Sequence, residues 1–133
     1  MTRILGIDFG LRRIGMAISD ERHMMAFPYG VLDVKGMTPD DIRAKIKEVC
    51  QKEEIGTIVV GVPRGLRQMQ DTDMTEQAVA FADSLKELEI PIKLEEEFLS
   101  SVQAGRGPTP KAKIDASAAA IVLQTYLDRQ SAV

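Results

Sequence analysis

The stretch Arg3–Asp20, RILGIDFGLRRIGMAISD, decides the fold. Ile4, Leu5 and Ile7 make an apolar run that Asp8 ends, and Gly10 turns the chain. Ile14, Met16 and Ile18 then alternate with small or polar residues as far as Ser19 and Asp20. That pattern is a strand, a tight turn and a second strand. It holds Asp8 at the tip of a buried strand, with Gly10 and Gly15 leaving room for a second backbone or a phosphate. Taken alone, an Asp-x-Gly is an ordinary turn cap. The rest of the chain decides whether Asp8 does more.

Length and composition fix the class. The 133 residues are 44% hydrophobic and 28% charged, which is ordinary for one soluble globular domain spanning 1–133. No apolar run approaches the roughly 20 residues of a membrane span, and no charged-then-apolar leader precedes the first strand. A cytoplasmic protein without membrane contact is expected. Cys50 is the single cysteine, which excludes a disulfide framework and a cysteine zinc site. It falls near the apolar face of a helix, as a buried thiol would. The net charge of −3 argues against bulk electrostatic coating of nucleic acid. It leaves room for a nuclease whose metal ions offset its carboxylates.

After the hairpin, Glu21–Pro28 reads as a loop holding the lone His23, which has no evident catalytic partner. Tyr29–Val34 reads as a third strand. Thr38-Pro39-Asp40-Asp41 starts a helix with a hydroxyl cap, an early proline and acids at the positive end of the dipole. Ile42, Ile46, Val49 and Cys50 mark its inner face to about Lys52. Thr57–Gly61, TIVVG, is a continuous apolar run suited to a central parallel strand. A polar loop, Arg64–Asp73, should follow, with Thr72 or Asp73 capping the next helix. Met74, Ala78, Phe81, Leu85 and Leu88 form that helix's stripe. Ile92 to about Glu96 is the last strand, Gly105–Pro110 a loop, and Lys113–Arg129 the final helix. In it Asp115 shares a stripe with Ala119, Val122 and Tyr126. Two or three antiparallel strands followed by strand–helix alternation give an α/β fold: a mixed five-stranded sheet with helices on both faces.

Three acidic positions stand at element ends: Asp8, the Glu95–Glu97 run, and Asp115 in the first turn of the last helix. Ligand sites in open α/β sheets gather at the carboxyl ends of strands. Carboxylates brought together there suit hard cations, Mg²⁺ or Mn²⁺. A metal pair can activate water and stabilise the leaving oxygen of a phosphodiester. The plain alternatives are a solvated charge run at 95–97 and a dipole partner at Asp115. Cations cluster in the neighbouring loops: Arg12 and Arg13, Arg64 and Arg67, and Arg106, Lys111 and Lys113. Positive loops on an acidic chain suit phosphate positioning.

These residues resemble the YqgF family, the Holliday junction resolvase-like or pre-16S rRNA nuclease family of ribonuclease H-like fold. The resemblance covers nearly the whole chain. It rests on GIDFGLRRIGMAISD (Gly6–Asp20), VVGVP (Val59–Pro63), EEEFLSSVQA (Glu95–Ala104) and KIDASAAAIVLQTYLD (Lys113–Asp128). It implies a metal-dependent endonuclease whose metal-binding catalytic acids are Asp8, Glu97 and Asp115. The implied substrate is structured RNA, in 5′-end maturation of precursor 16S rRNA on pre-30S particles. Branched DNA, as a junction resolvase would cut, is the alternative, and a monomer or a homodimer is expected. The sequence departs from the family pattern at Leu11, at Phe98 after the third-motif glutamate, after Pro63, and in a shorter 104–111 segment. Two further readings stay open. One is a nucleotide-phosphate cradle of the sugar-kinase or actin-like type, for which the chain lacks a second lobe. The other is a non-catalytic RNA-binding or ribosome-assembly protein.

Overall fold

In the computed structural model, residues 2–63, 68–97 and 111–131 are described, with side chains defined except at 63, 68–75, 97, 111–115 and 131. Five strands form one mixed sheet: β1 (Arg3–Asp8), β2 (Arg13–Ser19), β3 (Ala26–Asp33), β4 (Ile55–Pro63) and β5 (Ile92–Glu97). Their order across the sheet is β3-β2-β1-β4-β5. The first three strands pair antiparallel, and β1, β4 and β5 run parallel. Helix α1 (Pro39–Lys52) joins β3 to β4. Helix α2 (Gln68–Ser84), continued by a 3-10 turn at Leu85–Leu88, joins β4 to β5. Helix α3 (Lys111–Ser131) is the last element.

The turn between β1 and β2 depends on Gly10, where an added Cβ would stand 2.5 Å from the Arg13 carbonyl oxygen. The room expected at Gly10 is therefore taken up by the turn itself. Helix α1 starts as its sequence requires. Thr38 Oγ1 accepts from the Asp41 amide and Asp41 Oδ2 from the Thr38 amide, each at 3.1 Å, a reciprocal capping box.

Strand alternation sends side chains to two cores. On one face Leu5, Ile7, Ile14, Ile58 and Val60 pack against Ile46 and Cys50 of α1 and Ala82 and Leu85 at the end of α2. On the other, Ile4, Ala17 and Val59 meet Ala119, Val122, Leu123 and Leu127 of α3. Helices therefore cover both faces, as the sequence pattern requires. Gly6 lets α3 lie close, since a Cβ there would come within 2.7 Å of Leu123 Cβ and 3.3 Å of the Ala119 carbonyl oxygen.

Several boundaries move. The loop expected at Glu21–Pro28 ends early, because β3 begins at Ala26 and runs to Asp33 rather than covering Tyr29–Val34. Edge position explains it: Phe27 and Pro28 are exposed, so these residues carry no buried signal. β4 extends to Ile55–Pro63. Helix α2 begins at Gln68, so Thr72 and Asp73 lie inside it rather than capping it, and the expected polar loop is cut short. Helix α3 begins at Lys111, which makes Asp115 its fifth residue, beyond the first turn. His23 sits in the β2–β3 turn at φ 60° with its Nε2 2.8 Å from the Thr2 carbonyl oxygen, a local tie. Asp20 caps the same turn, accepting the Met24 and Met25 amides at 2.8 and 3.2 Å, and these bonds hold its carboxyl below the usual range. Among the described residues no helix is long and apolar enough to cross a membrane.

Candidate active site

Asp8 is the last residue of β1 and is half-buried. Its register partners are Gly15 on β2 and Gly61 on β4. Gly61 in turn pairs with Glu95 on β5. One row across the carboxyl end of the parallel strands therefore reads Gly15, Asp8, Gly61, Glu95. Gly6 and Val59 of the preceding row belong to the α3 face. A strand repeats every two residues, so Asp8, Gly61 and Glu95 belong to that face too. Both positions beside Asp8 are glycines, so neither register neighbour sets a side chain beside this hard-oxygen donor. Such a setting fits a hydrated divalent cation.

Nothing in the sequence distinguishes Glu95 within its acidic run. It is 1% exposed, whereas Glu96 beside it is exposed. Arg129 of α3 donates through Nη2 to Glu95 Oε2. Glu95 Oε1 is buried and, among the described residues, has no hydrogen-bond partner. Burial pushes this carboxyl upward, and the Arg129 guanidinium opposes the rise. The solvated-run reading therefore fails at Glu95. Its arginine partner lies 34 residues later in sequence, too far for local spacing to reveal.

The other expected site residues are placed as follows. Glu97 is the last residue of β5, in register with Pro63 of β4. Asp115 lies one helical turn before Ala119, whose carbonyl oxygen would stand 3.3 Å from a Cβ placed at Gly6. The side chains of Glu97 and Asp115 lie outside the described set. Arg12 is exposed in the β1–β2 turn, its carbonyl accepting the Val34 amide at 3.0 Å. Arg13 opens β2 opposite Asp33. Arg64, Arg67 and Arg106 lie outside the described residues, and Lys111 and Lys113 are described as backbone in the first turn of α3. Among the described residues no group of three acidic, histidine or cysteine side chains forms a metal cluster. Phe9, next to Asp8, turns to the opposite face, where its ring lies 4.9 Å from that of Phe81. A cleft of about 340 Å³ opens there, lined by residues of α1 and α2.

Residues 2–129 match the family described as RuvX: Holliday junction resolvase. A protein of Maridesulfovibrio salexigens named "Putative pre-16S rRNA nuclease" is 38% identical over 96% of this chain and 98% of its own. One of the same name from Endomicrobium trichonymphae is 36% identical over 98% and 99%. Among solved structures, Thermus thermophilus RuvC in complex with a Holliday junction substrate superposes with a TM-score of 0.63 at 17% identity, over 98% of this chain and 96% of that one. The yeast mitochondrial Holliday junction resolvase Ydc2 gives 0.61 at 12%, over 98% and 79%. These two establish the fold, a ribonuclease H-like one. With the sequence match running almost end to end, the chain belongs to the RuvX family of resolvase-like nucleases.

Proposed function

We propose that this protein is a divalent-metal-dependent endonuclease that matures the 5′ end of precursor 16S rRNA. The named relatives support that substrate, which the protein would meet in the cytoplasm on pre-30S particles. Asp8, Glu97 and Asp115 would hold Mg²⁺ or Mn²⁺. The observation that carries the reading is the register row at Asp8, a half-buried carboxylate flanked on both strands by glycine.

The lie of α3 supports including Asp115. Gln124 Oε1 accepts the Ala26 amide and its Nε2 donates to the Met24 carbonyl, both at 2.9 Å. Ala26 pairs with Ser19, whose Oγ accepts the Ile4 amide at 2.9 Å, so Gln124 is anchored toward the start of β1. Reading α3 backward past Ala119 leads toward the Asp8 end. Four helical residues rise about 6 Å and two strand residues about 6.6 Å, so positions 115 and 8 advance together from the contact at Gly6. Position 97 shares strand parity with 95 and stands two residues farther along the same edge.

When bound, the metal supplies water activation and charge stabilisation at the phosphorus. The chain's own groups do the rest. Asp8, on a rigid strand tip, holds one donor oxygen in place while the strand cannot relax away from it. Water adds to phosphorus as the P–O bond to the leaving nucleotide breaks, and the leaving oxygen takes up a proton. Arg12, Arg13, Arg64, Arg67, Arg106, Lys111 and Lys113 would grip backbone phosphates on either side, fixing register without reading bases.

A second reading, cleavage of branched DNA, is favoured by the family's description as a Holliday junction resolvase. It calls for two such sites in a symmetric dimer. A cleavage assay on a precursor 16S rRNA 5′ fragment and on a four-way DNA junction tests both. Asp8→Asn and Asp115→Asn should each slow cleavage at least about 100-fold with unchanged thermal unfolding. Full activity in both variants would refute the assignment. Cleavage of the junction alone would select the second reading.

A further inference from the structure

We propose that Glu95 is an additional carboxylate of the cation site, held in place by Arg129. The inference rests on the metal-dependent reading above and extends it to a residue that the motif resemblance leaves out.

Glu95 shares a register row with Asp8, with only Gly61 between them. Two strand spacings put their Cα atoms about 9–10 Å apart on the same face of the sheet. An Asp and a Glu side chain can both reach one cation across that gap, and Gly61 sets no side chain in the way. Glu95 is 1% exposed, and among the described residues Oε1 has no hydrogen-bond donor. A buried carboxylate oxygen left without a donor is costly, and a cation or its bound water would satisfy it. Arg129 engages only Oε2. It fixes the side chain's orientation and leaves Oε1 without a donor among the described residues. Arg129 is itself 61% exposed, so solvent can satisfy the guanidinium without Glu95. The group in need of a partner is the glutamate. Arg129 is thus a positioning residue, acting on the cation through Glu95.

A purely structural ion pair between β5 and α3 predicts a different outcome, which separates the two ideas. Titration calorimetry with Mn²⁺ alone, on the full chain without nucleic acid, provides the measurement, and thermal unfolding without metal accompanies it. Glu95→Gln should weaken Mn²⁺ binding about 10- to 100-fold, with apo thermal stability kept or raised because a buried charge is gone. Glu95→Asp, which keeps the charge but shortens the reach by one methylene, should fall between Glu95→Gln and the parent, and it carries the test if Glu95→Gln does not fold. Arg129→Met should weaken Mn²⁺ binding less than Glu95→Gln. A Glu95→Gln isotherm that overlays the parent's, with lowered apo stability, would leave only a structural bridge and overturn the proposal.

The failure modes are separable. Mn²⁺ binding that depends on Asp8 and ignores Glu95 sinks this inference and spares the nuclease reading. Mn²⁺ binding that depends on Glu95, with no cleavage of either nucleic acid, sinks the nuclease reading and spares this one. No Mn²⁺ binding by the parent protein ends both.

Discussion

The two faces of the sheet are built from different materials. Toward α1 and α2 the strands present Leu5, Ile7, Ile14, Ile58 and Val60, large branched side chains that hold the helices away from the backbone. Toward α3 they present Ile4, Gly6, Ala17 and Val59, and α3 answers with Ala116, Ala118 and Ala119 near its start. The first face gains stability from volume, the second from close approach. Close approach is what the proposed site, shared between a strand tip and a helix, would need, because short acidic side chains reach only a few ångströms. The thick face leaves a cleft beside Phe9, and the thin face brings α3 to within contact of the row before Asp8.

The contrast can be broken from either side, in opposite senses. Deletion should damage the thick face most. Ile58 is fully buried, and Ile58→Ala should cost about 2–5 kcal/mol in denaturant unfolding. Addition should damage the thin face. Gly6→Ala puts a methyl 2.7 Å from Leu123 Cβ, and the forced shift of α3 should cost about 1–3 kcal/mol. Because it would lift α3 at the proposed site, Gly6→Ala should also weaken Mn²⁺ binding, whereas Ile58→Ala should leave it near the parent's value. Equal effects of the two on metal affinity would remove the distinction.

The smallest effect sharpens the picture of the thick face. Burial pushes the Cys50 thiol from its ordinary value of 9.0 up to about 11. A folded-state value above the unfolded one means that the contribution is complete below about pH 9 and is lost as pH rises through 11. Against Cys50→Ala, the parent should therefore lose relative stability over that window and show no difference in slope at neutral pH. A flat comparison through pH 11 would mean that the thiol is wetter than its 4% exposure implies.

What could be read from the sequence follows the reach of each signal. The opening hairpin, the TIVVG strand and the Thr38 cap are local patterns, and each lies where its residues indicate. The stripe of Ala119, Val122 and Tyr126 faces the sheet as its spacing requires. Signals that depend on distant partners were hidden. The start of β3 at Ala26 is fixed by pairing with Ser19 and by the Gln124 side chain, in a segment that otherwise reads as methionine-rich loop. The first turn of α2, Gln68-Met69-Gln70-Asp71, has no apolar period, so nothing in it announces a helix. Glu95 looks like one of three equivalent acids until Arg129 is brought against it, and Leu94 beside it, apolar in sequence, is 52% exposed. For the site, the position of Asp8 at a strand end was legible, while the glycines on both sides of it became meaningful only once register was known.

The Gln124 clasp has a consequence in time. Its two bonds join positions 98 and 100 residues apart in the chain. Contacts that span so much sequence are made late, after intervening segments have found their places. The hairpin bearing Asp8 leaves the ribosome well before α3, the helix that covers one of its faces. Until α3 emerges, the strand face that carries Gly6 and Asp8 has no helix packed against it.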